Sequence, residues 1–160
     1  MSTAADLELL PITQEHGGAL AAFRCATVDA PWTVPVEEYV RRLLISELAS
    51  GRVDAVGLWE GEVLAAVVVW RMETAVPTCS CFYLATGLGF RARGCARRLK
   101  EWLVTLAGAR DRLAVTSRVH QRNEVMLGLN TRLGAEFEPP NEDGYLPCTI
   151  RLVGPAQSSA

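Results

Sequence analysis

The chain has 160 residues, of which 49% are hydrophobic and 21% charged, and its formal net charge is −2. This composition is typical of a soluble domain with a hydrophobic core. The charge balance provides no basic field for nucleic acid, and no apolar run approaches the roughly 20 residues that span a bilayer. We therefore expect one domain over residues 1–153 and a C-terminal tail over residues 154–160.

The N-terminus and the cysteines favour a cytoplasmic protein. The first residues lack the basic start and apolar stretch of a secretory signal. The cysteines are odd in number and lack zinc-type spacing, so we interpret them as reduced thiols, most of them in the core, and expect no metal. They are Cys25, Cys79, Cys81, Cys95 and Cys148.

The hydrophobic pattern of the first half predicts strands and two helices. Apolar residues at helical spacing mark the helices, and short apolar runs bounded by turn residues mark the strands. Thr13 is the expected cap of the first helix. The predicted strands are Leu7–Ile12, Arg52–Trp59, Glu62–Trp70 and Pro77–Thr86; the predicted helices are Gln14–Ala26 and Glu37–Ser50, with a loop over Asp29–Pro35 between them and an inward stripe of Val40, Leu43, Leu44 and Leu48 that stops at Gly51.

The second half predicts two more helices, a strand and a closing hairpin. The mixed order of elements implies one α/β sheet with helices on both faces. The predicted elements are helix Gly94–Gly108, strand Arg112–Ser117, helix Asn123–Gly134 and a hairpin of Ala135–Pro139 with Tyr145–Val153. The inward positions are Ala96, Leu99, Leu103 and Leu106 in the first helix, with Arg97, Arg98, Lys100 and Glu101 largely off this stripe, and Val125, Met126, Leu129 and Leu133 in the second.

One segment, GLGFRARGCARRLKEWL from Gly87, combines glycines and arginines with the start of a helix. The first amides of a helix have no acceptor within the helix and lie at the positive end of its dipole, so they favour an anion. Gly94 and Ala96 leave the backbone accessible, and Arg91 and Arg93 add positive charge. The segment predicts either a solvated basic helix start or a cradle for pyrophosphate.

The spacing within this segment resembles the GNAT superfamily of acetyl-CoA-dependent N-acyltransferases. The signature of that family, Q/R-x-x-G-x-G/A, is matched by Arg91, Gly94 and Ala96, and Phe90 supplies the aromatic residue that often precedes it. A later helix that begins at Asn123 and ends in Leu133-Gly134 also resembles the family. The order of elements matches over nearly the whole chain.

The resemblance implies a fold, a cofactor and a reaction. The fold would be a mixed, mostly antiparallel sheet of six to seven strands, splayed in the middle where pantetheine enters. The chain would transfer an acetyl group directly from acetyl-CoA, or another acyl-CoA, to a primary amine of a small molecule or peptide. The implied cofactor-binding residues are Leu84 and Thr86 for the pantetheine amides, Arg91, Arg93, Gly94, Cys95 and Ala96 for the pyrophosphate, and Asn123 for the cofactor arm.

The chain departs from the family pattern at the catalytic positions. Leu88 replaces a common proline, and Asn130 replaces the tyrosine that protonates the leaving thiolate in many relatives. Asparagine cannot donate a proton in that way, and the fourth predicted strand lacks an acidic residue. Catalytic residues therefore stay unassigned. A binding or regulatory module without turnover, a nucleotide-binding protein of another fold, and a homodimer all stay open.

Several other side chains have both a chemical and a structural interpretation. A lone histidine, glutamate or tyrosine near the cleft is a candidate for proton transfer, and a cysteine is a candidate nucleophile. For each of them we favour the structural or solvated role, and for the cysteine a buried, inert thiol. The candidates are His120, Glu73, Tyr83 and Cys81, together with Trp32, Glu37 and Glu38, which the resemblance places on the acceptor side; His16 is expected at the surface of the first helix.

Overall fold

The computed structural model describes residues 2–152. Val153 of the predicted last strand and the predicted tail, 154–160, lie outside the described residues. Within 2–152, no helix combines the length and apolar character needed to cross a membrane. The strands are β1 Glu8–Pro11, β2 Asp54–Glu60, β3 Val63–Met72, β4 Thr78–Thr86, β5 Ala114–His120, β6 Glu136–Phe137 and β7 Tyr145–Arg151; the α-helices are α1 Gly17–Ala21, α2 Thr33–Glu38, α3 Leu44–Ala49, α4 Cys95–Ala109 and α5 Glu124–Arg132.

The strands form a mixed sheet in the order β1-β2-β3-β4-β5-β7-β6. The pairs β1–β2, β2–β3, β5–β7 and β6–β7 are antiparallel, whereas β4 and β5 are parallel. The β4–β5 ladder runs only from Thr78 opposite Ala114 to Ser80 opposite Thr116, although β5 pairs with β7 as far as His120. The prediction of a mixed, mostly antiparallel sheet is confirmed, with seven strands in residues 2–152.

The backbone divides into two compact units, which within the described residues are 2–70 with 83–100 and 71–82 with 101–152. The first unit contains a core between β2, β3 and the helices α1 to α3. Every residue from Leu64 to Trp70 is buried, which confirms the prediction that β3 is covered on both faces. The core residues include Leu20, Phe23, Val40, Leu44, Trp59, Val67 and Val69.

The second unit buries part of α5, three residues of β5 and the alternate residues Cys148 and Ile150 of β7. Val115, Leu129 and Ile150 are all buried there. The expectation that Val125 points inward is wrong, because this side chain is 77% exposed. The buried face of α5 includes Leu129 and the polar residue Asn130, which is fully buried. This face is therefore rotated away from the one that the apolar residues alone predict.

The predicted helix over Glu37–Ser50 is three consecutive helical segments. The α-helix begins at Thr33, inside the predicted loop, because proline is tolerated in the first turn of a helix and Pro35 lies there. Residues Tyr39–Leu43 then form a π-helix between α2 and α3. A π turn contains an extra residue and so shifts the helical phase. For this reason the prediction for Leu43 is wrong: Leu43 is 53% exposed, whereas Leu44 is fully buried.

The first helical segment is shorter than predicted. Thr13 is a cap as expected, since its hydroxyl accepts a hydrogen bond from the Glu15 amide at 3.3 Å. A 3₁₀ turn over Gln14–His16 precedes the short α1. His16 belongs to this turn and is half-buried, with its ring centroid 4.4 Å from that of Trp59, so it is not the simple surface residue expected.

Helix α4 also departs from its predicted stripe. Lys100 was expected largely off the apolar face, but only 1% of it is exposed. It follows Ala96 by one turn and lies between Leu99 and Leu103 on the same helical face. Lys100 was predicted to lie off the apolar face because it is charged, but its position in the helix places it on the buried face.

We expect the adjacent leucines 43 and 44 to differ sharply in their effect on stability. Leu44→Ala removes a fully buried side chain and should lower the free energy of unfolding by about 2–5 kcal/mol. Leu43→Ala, at the exposed position of the π turn, should change it by less than about 0.5 kcal/mol. Urea denaturation measures both variants. Equal losses would contradict the phase shift described above.

Candidate functional site

The segment after β4 begins with Gly87, which is in close contact with β3. The Gly87 amide donates to the Ala65 carbonyl of β3 at 2.7 Å. A Cβ atom at Gly87 would lie 3.1 Å from that same oxygen, so only glycine fits there without displacement. A 3₁₀ turn over Leu88–Phe90 follows. Strand β4 is thereby joined to the loop that precedes α4.

The loop from Arg91 to Gly94 turns twice through the left-handed backbone region. Ala92 has φ of 59° and Gly94 has φ of 84°. A side chain beyond Cβ is disfavoured in this region, which accounts for the small residues at both positions. Helix α4 then begins at Cys95.

The start of α4 leaves backbone donors available. Within residues 2–152, the amides of Gly94, Cys95 and Ala96 donate to no backbone carbonyl, and the Cys95 amide has only its own thiol as a partner. Gly94 is exposed, and a Cβ built there would meet only the Ala4 methyl, at 3.9 Å. Free amides at the positive end of a fifteen-residue helix form a site for an anion such as phosphate.

Two arginines flank these amides, and each is held by the protein. The Arg91 Nη2 donates to the Cys25 carbonyl at 3.1 Å. The Arg93 guanidinium lies 5.1 Å from the Phe90 ring centroid, within cation–π range. Both predicted arginines therefore lie in the same loop as the free amides, with their orientation restricted.

A further arginine, Arg98, was not assigned a role from sequence. Its Nη1 donates to the carbonyls of Ala4 and of Leu7, the latter at 2.7 Å. The Ala4 amide in turn donates to the Arg93 carbonyl at 3.0 Å. The N-terminal segment is thus fixed against the first turn of α4. These contacts join residues about ninety positions apart, so no local sequence pattern could predict them.

The pantetheine residues predicted from the family, Leu84 and Thr86, lie on one face of β4 and are half-buried. Tyr83 between Phe82 and Leu84 stacks on Tyr39, with ring centroids 4.3 Å apart. Burial raises the pKa of the Tyr39 hydroxyl to about 12, and the charge of Glu47 adds to this effect. Tyr39 is therefore a neutral phenol throughout the physiological pH range.

Asn123 and Asn130 have separate structural roles in α5. The Asn123 Oδ1 accepts the Met126 amide at 3.3 Å, so Asn123 is the cap of the helix. The Asn130 Nδ2 donates to the Met126 carbonyl at 2.8 Å, and its Oδ1 is buried without a partner. The side chain at the usual tyrosine position is thus folded onto its own helix, and its amide group cannot act as a general acid.

The candidates for proton transfer have structural partners. The Glu73 Oε1 accepts hydrogen bonds from Arg71 at 2.9 Å and from Ser80 at 2.9 Å, and these donors lower the pKa of Glu73. The His120 Nδ1 accepts the Arg122 amide at 3.2 Å. Glu73 is a salt-bridged carboxylate, and one ring nitrogen of His120 is occupied.

All five cysteines are free thiols and buried. Burial is the main cause that raises the pKa of Cys25, to about 11, with a further contribution from the Glu37 charge. Burial also raises the pKa of Cys95, although Arg93 and Arg98 oppose the shift. Cys81 is itself only 6% exposed, and a buried thiol is a poor nucleophile, which agrees with the interpretation of Cys81 as inert.

Glu37 is committed to the backbone between α1 and α2. Its Oε2 accepts the amides of Cys25 at 2.8 Å and of Ala26 at 2.7 Å. Burial alone would raise the pKa of Glu37, but these two amides and the charges of Arg24 and Arg41 outweigh it and lower the pKa. Glu38, the next residue, is exposed.

Neither a protein-family model nor a curated protein matches the sequence. Solved structures do match it. PaiA N-acetyltransferase from Thermoplasma acidophilum, in complex with coenzyme A, is 12% identical with a TM-score of 0.74 over 95% of this chain and 100% of its own. The GNAT domain of S. lividans PAT is 17% identical with a TM-score of 0.71 over 91% of this chain and 90% of its own.

An acetyltransferase from Bacillus subtilis, also in complex with coenzyme A, is 16% identical with a TM-score of 0.61 over 92% of this chain and 100% of its own. The chain has the GNAT fold. This likeness extends over almost the full length of the chain and agrees with the strand order described above. In the GNAT fold of this chain, the loop from Gly87 to Ala96 joins β4 to α4.

The ionised carboxylate of Glu37 should contribute stability that depends on pH. Because its folded pKa is lowered, this contribution is present above the unfolded pKa of about 4.3 and is lost as pH falls through the folded value. Glu37→Gln should therefore be less stable than wild type at about pH 7, and the difference should narrow towards about pH 3. Urea denaturation across this range measures it.

The matched control is Glu38→Gln, which leaves the two amides their acceptor and should cost little at either end of the range. A stability difference for Glu37→Gln that stayed constant with pH would show that the charge of this carboxylate does not matter to folding.

Proposed function

We propose that this chain is an acetyl-CoA-dependent N-acetyltransferase that transfers an acyl group directly to a primary amine of a small molecule or peptide. The observation that carries the proposal is the set of free amides at Gly94, Cys95 and Ala96, flanked by Arg91 and Arg93. The match of this loop to the family signature and the GNAT fold both support it.

The pyrophosphate would bind at the start of α4. The amides from Arg93 to Ala96 would donate to its oxygens, and the guanidinium groups of Arg91 and Arg93 would balance its charge. Glycine at position 94, with its open surroundings, lets a phosphate approach the backbone closely. No metal ion is needed for this arrangement.

The cofactor arm would extend from this loop along β4. A strand advances about 3.3 Å per residue, so the backbone from Thr86 to Tyr83 spans about 10 Å. The amide and carbonyl groups of Leu84 and Thr86 would pair with the amides of pantetheine. The thioester would then lie beside the β4 backbone, on the N-terminal side of Leu84.

The proposed reaction needs no acidic or basic side chain. The backbone amide of β4 nearest the thioester carbonyl would stabilise the developing oxyanion. Acetyl-CoA would supply the thioester: the amine nitrogen would bond to its carbonyl carbon as the carbon–sulfur bond breaks, and the amine would lose its proton to water. Orientation of the two reactants would supply much of the rate. We propose a cytoplasmic location for this reaction, in keeping with the free thiols.

A second candidate is a CoA-binding module without turnover. The burial of Asn130 and its hydrogen bond to its own helix favour this alternative, because they leave the usual position of the general acid without a proton donor. Release of free CoA thiol in the presence of a panel of primary amines separates the two. Binding of acetyl-CoA without any thiol release would support the module.

Gly94→Glu should weaken acetyl-CoA binding at least about tenfold, because like charges about 4 Å apart repel by about 1 kcal/mol even in water and a side chain would occupy the phosphate position. Isothermal titration calorimetry measures the affinity. Since Gly94 has φ of 84°, any side chain there also strains the backbone.

Gly94→Ala is the control, because it carries the same backbone strain without the carboxylate. Circular dichroism confirms that both variants fold. A Gly94→Glu protein that binds acetyl-CoA as tightly as Gly94→Ala would show that these amides do not hold phosphate, and the solvated helix start would be the correct interpretation.

Acyl transfer should proceed without an acetyl-enzyme, because every cysteine is buried. Intact-mass spectrometry after incubation with acetyl-CoA alone should show no stoichiometric acetylation. A kinetically competent acetyl group on Cys81 or another cysteine would contradict direct transfer.

A further inference from the structure

Residues Arg24–Ala26, between α1 and α2, form a short strap against the loop that follows β4. The Leu88 amide donates to the Arg24 carbonyl at 2.9 Å. The Arg91 Nη2 donates to the Cys25 carbonyl at 3.1 Å. The strap therefore supplies the acceptor that orients Arg91, one of the arginines at the proposed pyrophosphate site.

On the side of α2, one carboxylate oxygen accepts two amides of the strap, and the Cys25 thiol donates to the Thr33 carbonyl at 3.8 Å. The Oε2 of Glu37 accepts the amides of both Cys25 and Ala26, at 2.8 and 2.7 Å. The Cys25 side chain is only 2% exposed, so the strap has little freedom to move inward. Glu37 and Arg91 thus bind the same peptide segment from opposite sides. Glu37 accepts two amides of the strap, and Arg91 donates to one of its carbonyls.

We propose that Glu37 is a positioning residue for Arg91 and, through Arg91, for the bound pyrophosphate. This inference rests on the proposed function. Glu37 fixes the strap, the strap fixes the Cys25 carbonyl, and that carbonyl holds one nitrogen of Arg91 while the rest of the exposed guanidinium stays available to an anion. Neither sequence spacing nor the family signature points to Glu37 in this role.

The physical basis is preorganisation. A long arginine side chain loses rotamer freedom when it binds a ligand, and a contact that orders it beforehand reduces this loss. Removal of the Glu37 carboxylate leaves two amides without their acceptor, so the strap must rearrange and the Cys25 carbonyl shifts. By reciprocity, a bound anion that orders Arg91 must also stabilise the strap.

The sign of the effect separates positioning from simple electrostatics. If Glu37 acted only through its negative charge, it would repel the phosphates, and its removal would tighten CoA binding. If it positions Arg91, its removal must weaken CoA binding. Glu37→Gln distinguishes the two further, because it removes the charge but retains an oxygen acceptor for the amides.

The experiment compares CoA affinity by calorimetry for wild type and for Glu37→Ala, Glu37→Gln, Arg91→Ala and the double variant Glu37→Ala/Arg91→Ala. We expect Glu37→Ala to bind CoA about three- to tenfold more weakly, the loss of one oriented hydrogen-bonding group, and Glu37→Gln to recover most of this loss. The double variant should bind no more weakly than Arg91→Ala alone. Glu38→Ala, with the same change in charge on the exposed neighbour, should leave CoA affinity unchanged.

The outcomes separate this inference from the proposed function. Wild type that fails to bind CoA would overturn both. Wild type that binds CoA, with Glu37→Ala binding equally well or more tightly, or with additive losses in the double variant, would overturn the positioning role alone.

A second measurement needs no variant and covers the case in which Glu37→Ala does not fold. Amide hydrogen exchange of wild type, followed by NMR, should slow at Cys25 and Ala26 when CoA is added. Unchanged exchange at both amides in CoA-saturated protein would overturn the inference.

Discussion

The backbone turns twice through the left-handed region just before α4. In this conformation the first amides of the helix donate to none of the chain's own carbonyls. Ala92 and Gly94 make these turns, and the free donors at Gly94, Cys95 and Ala96 follow from them. A helix start normally satisfies such donors with a capping side chain or with water. Here the capping position is a glycine, which leaves the donors for a ligand.

Contacts with two distant segments hold this loop in place. On one side, Arg98 donates to the carbonyls of Ala4 and Leu7, and the Ala4 amide donates back to the Arg93 carbonyl. On the other side, the strap at Arg24–Ala26 accepts from Leu88 and Arg91. All of these residues belong to the first compact unit. A strained loop persists when its surroundings determine its conformation in this way.

Local patterns in the sequence predicted the strands and the loop, because hydrophobic period and glycine spacing report directly on local backbone geometry. The mostly antiparallel sheet was implied by the family resemblance. The local patterns failed where geometry overrides residue type. Leu43 is exposed because a π turn shifts the helical phase, and Lys100 is buried because its position on α4 outweighs its charge. The roles of Arg98 and Glu37 could not be predicted, since their partners lie far along the chain or in irregular backbone. The cofactor contacts themselves remain predictions, and the acceptor is not encoded in any local motif.

The most direct test of the account is an amide-resolved NMR titration of the wild-type protein with CoA. If the helix start holds the pyrophosphate, the backbone amide resonances of Gly94, Cys95 and Ala96 will show the largest shifts, moving downfield as their protons become hydrogen-bonded to phosphate oxygens. The side-chain resonance of Arg91 will shift with them. Saturable CoA binding that leaves these amides unmoved, or that shifts residues elsewhere instead, would contradict the account.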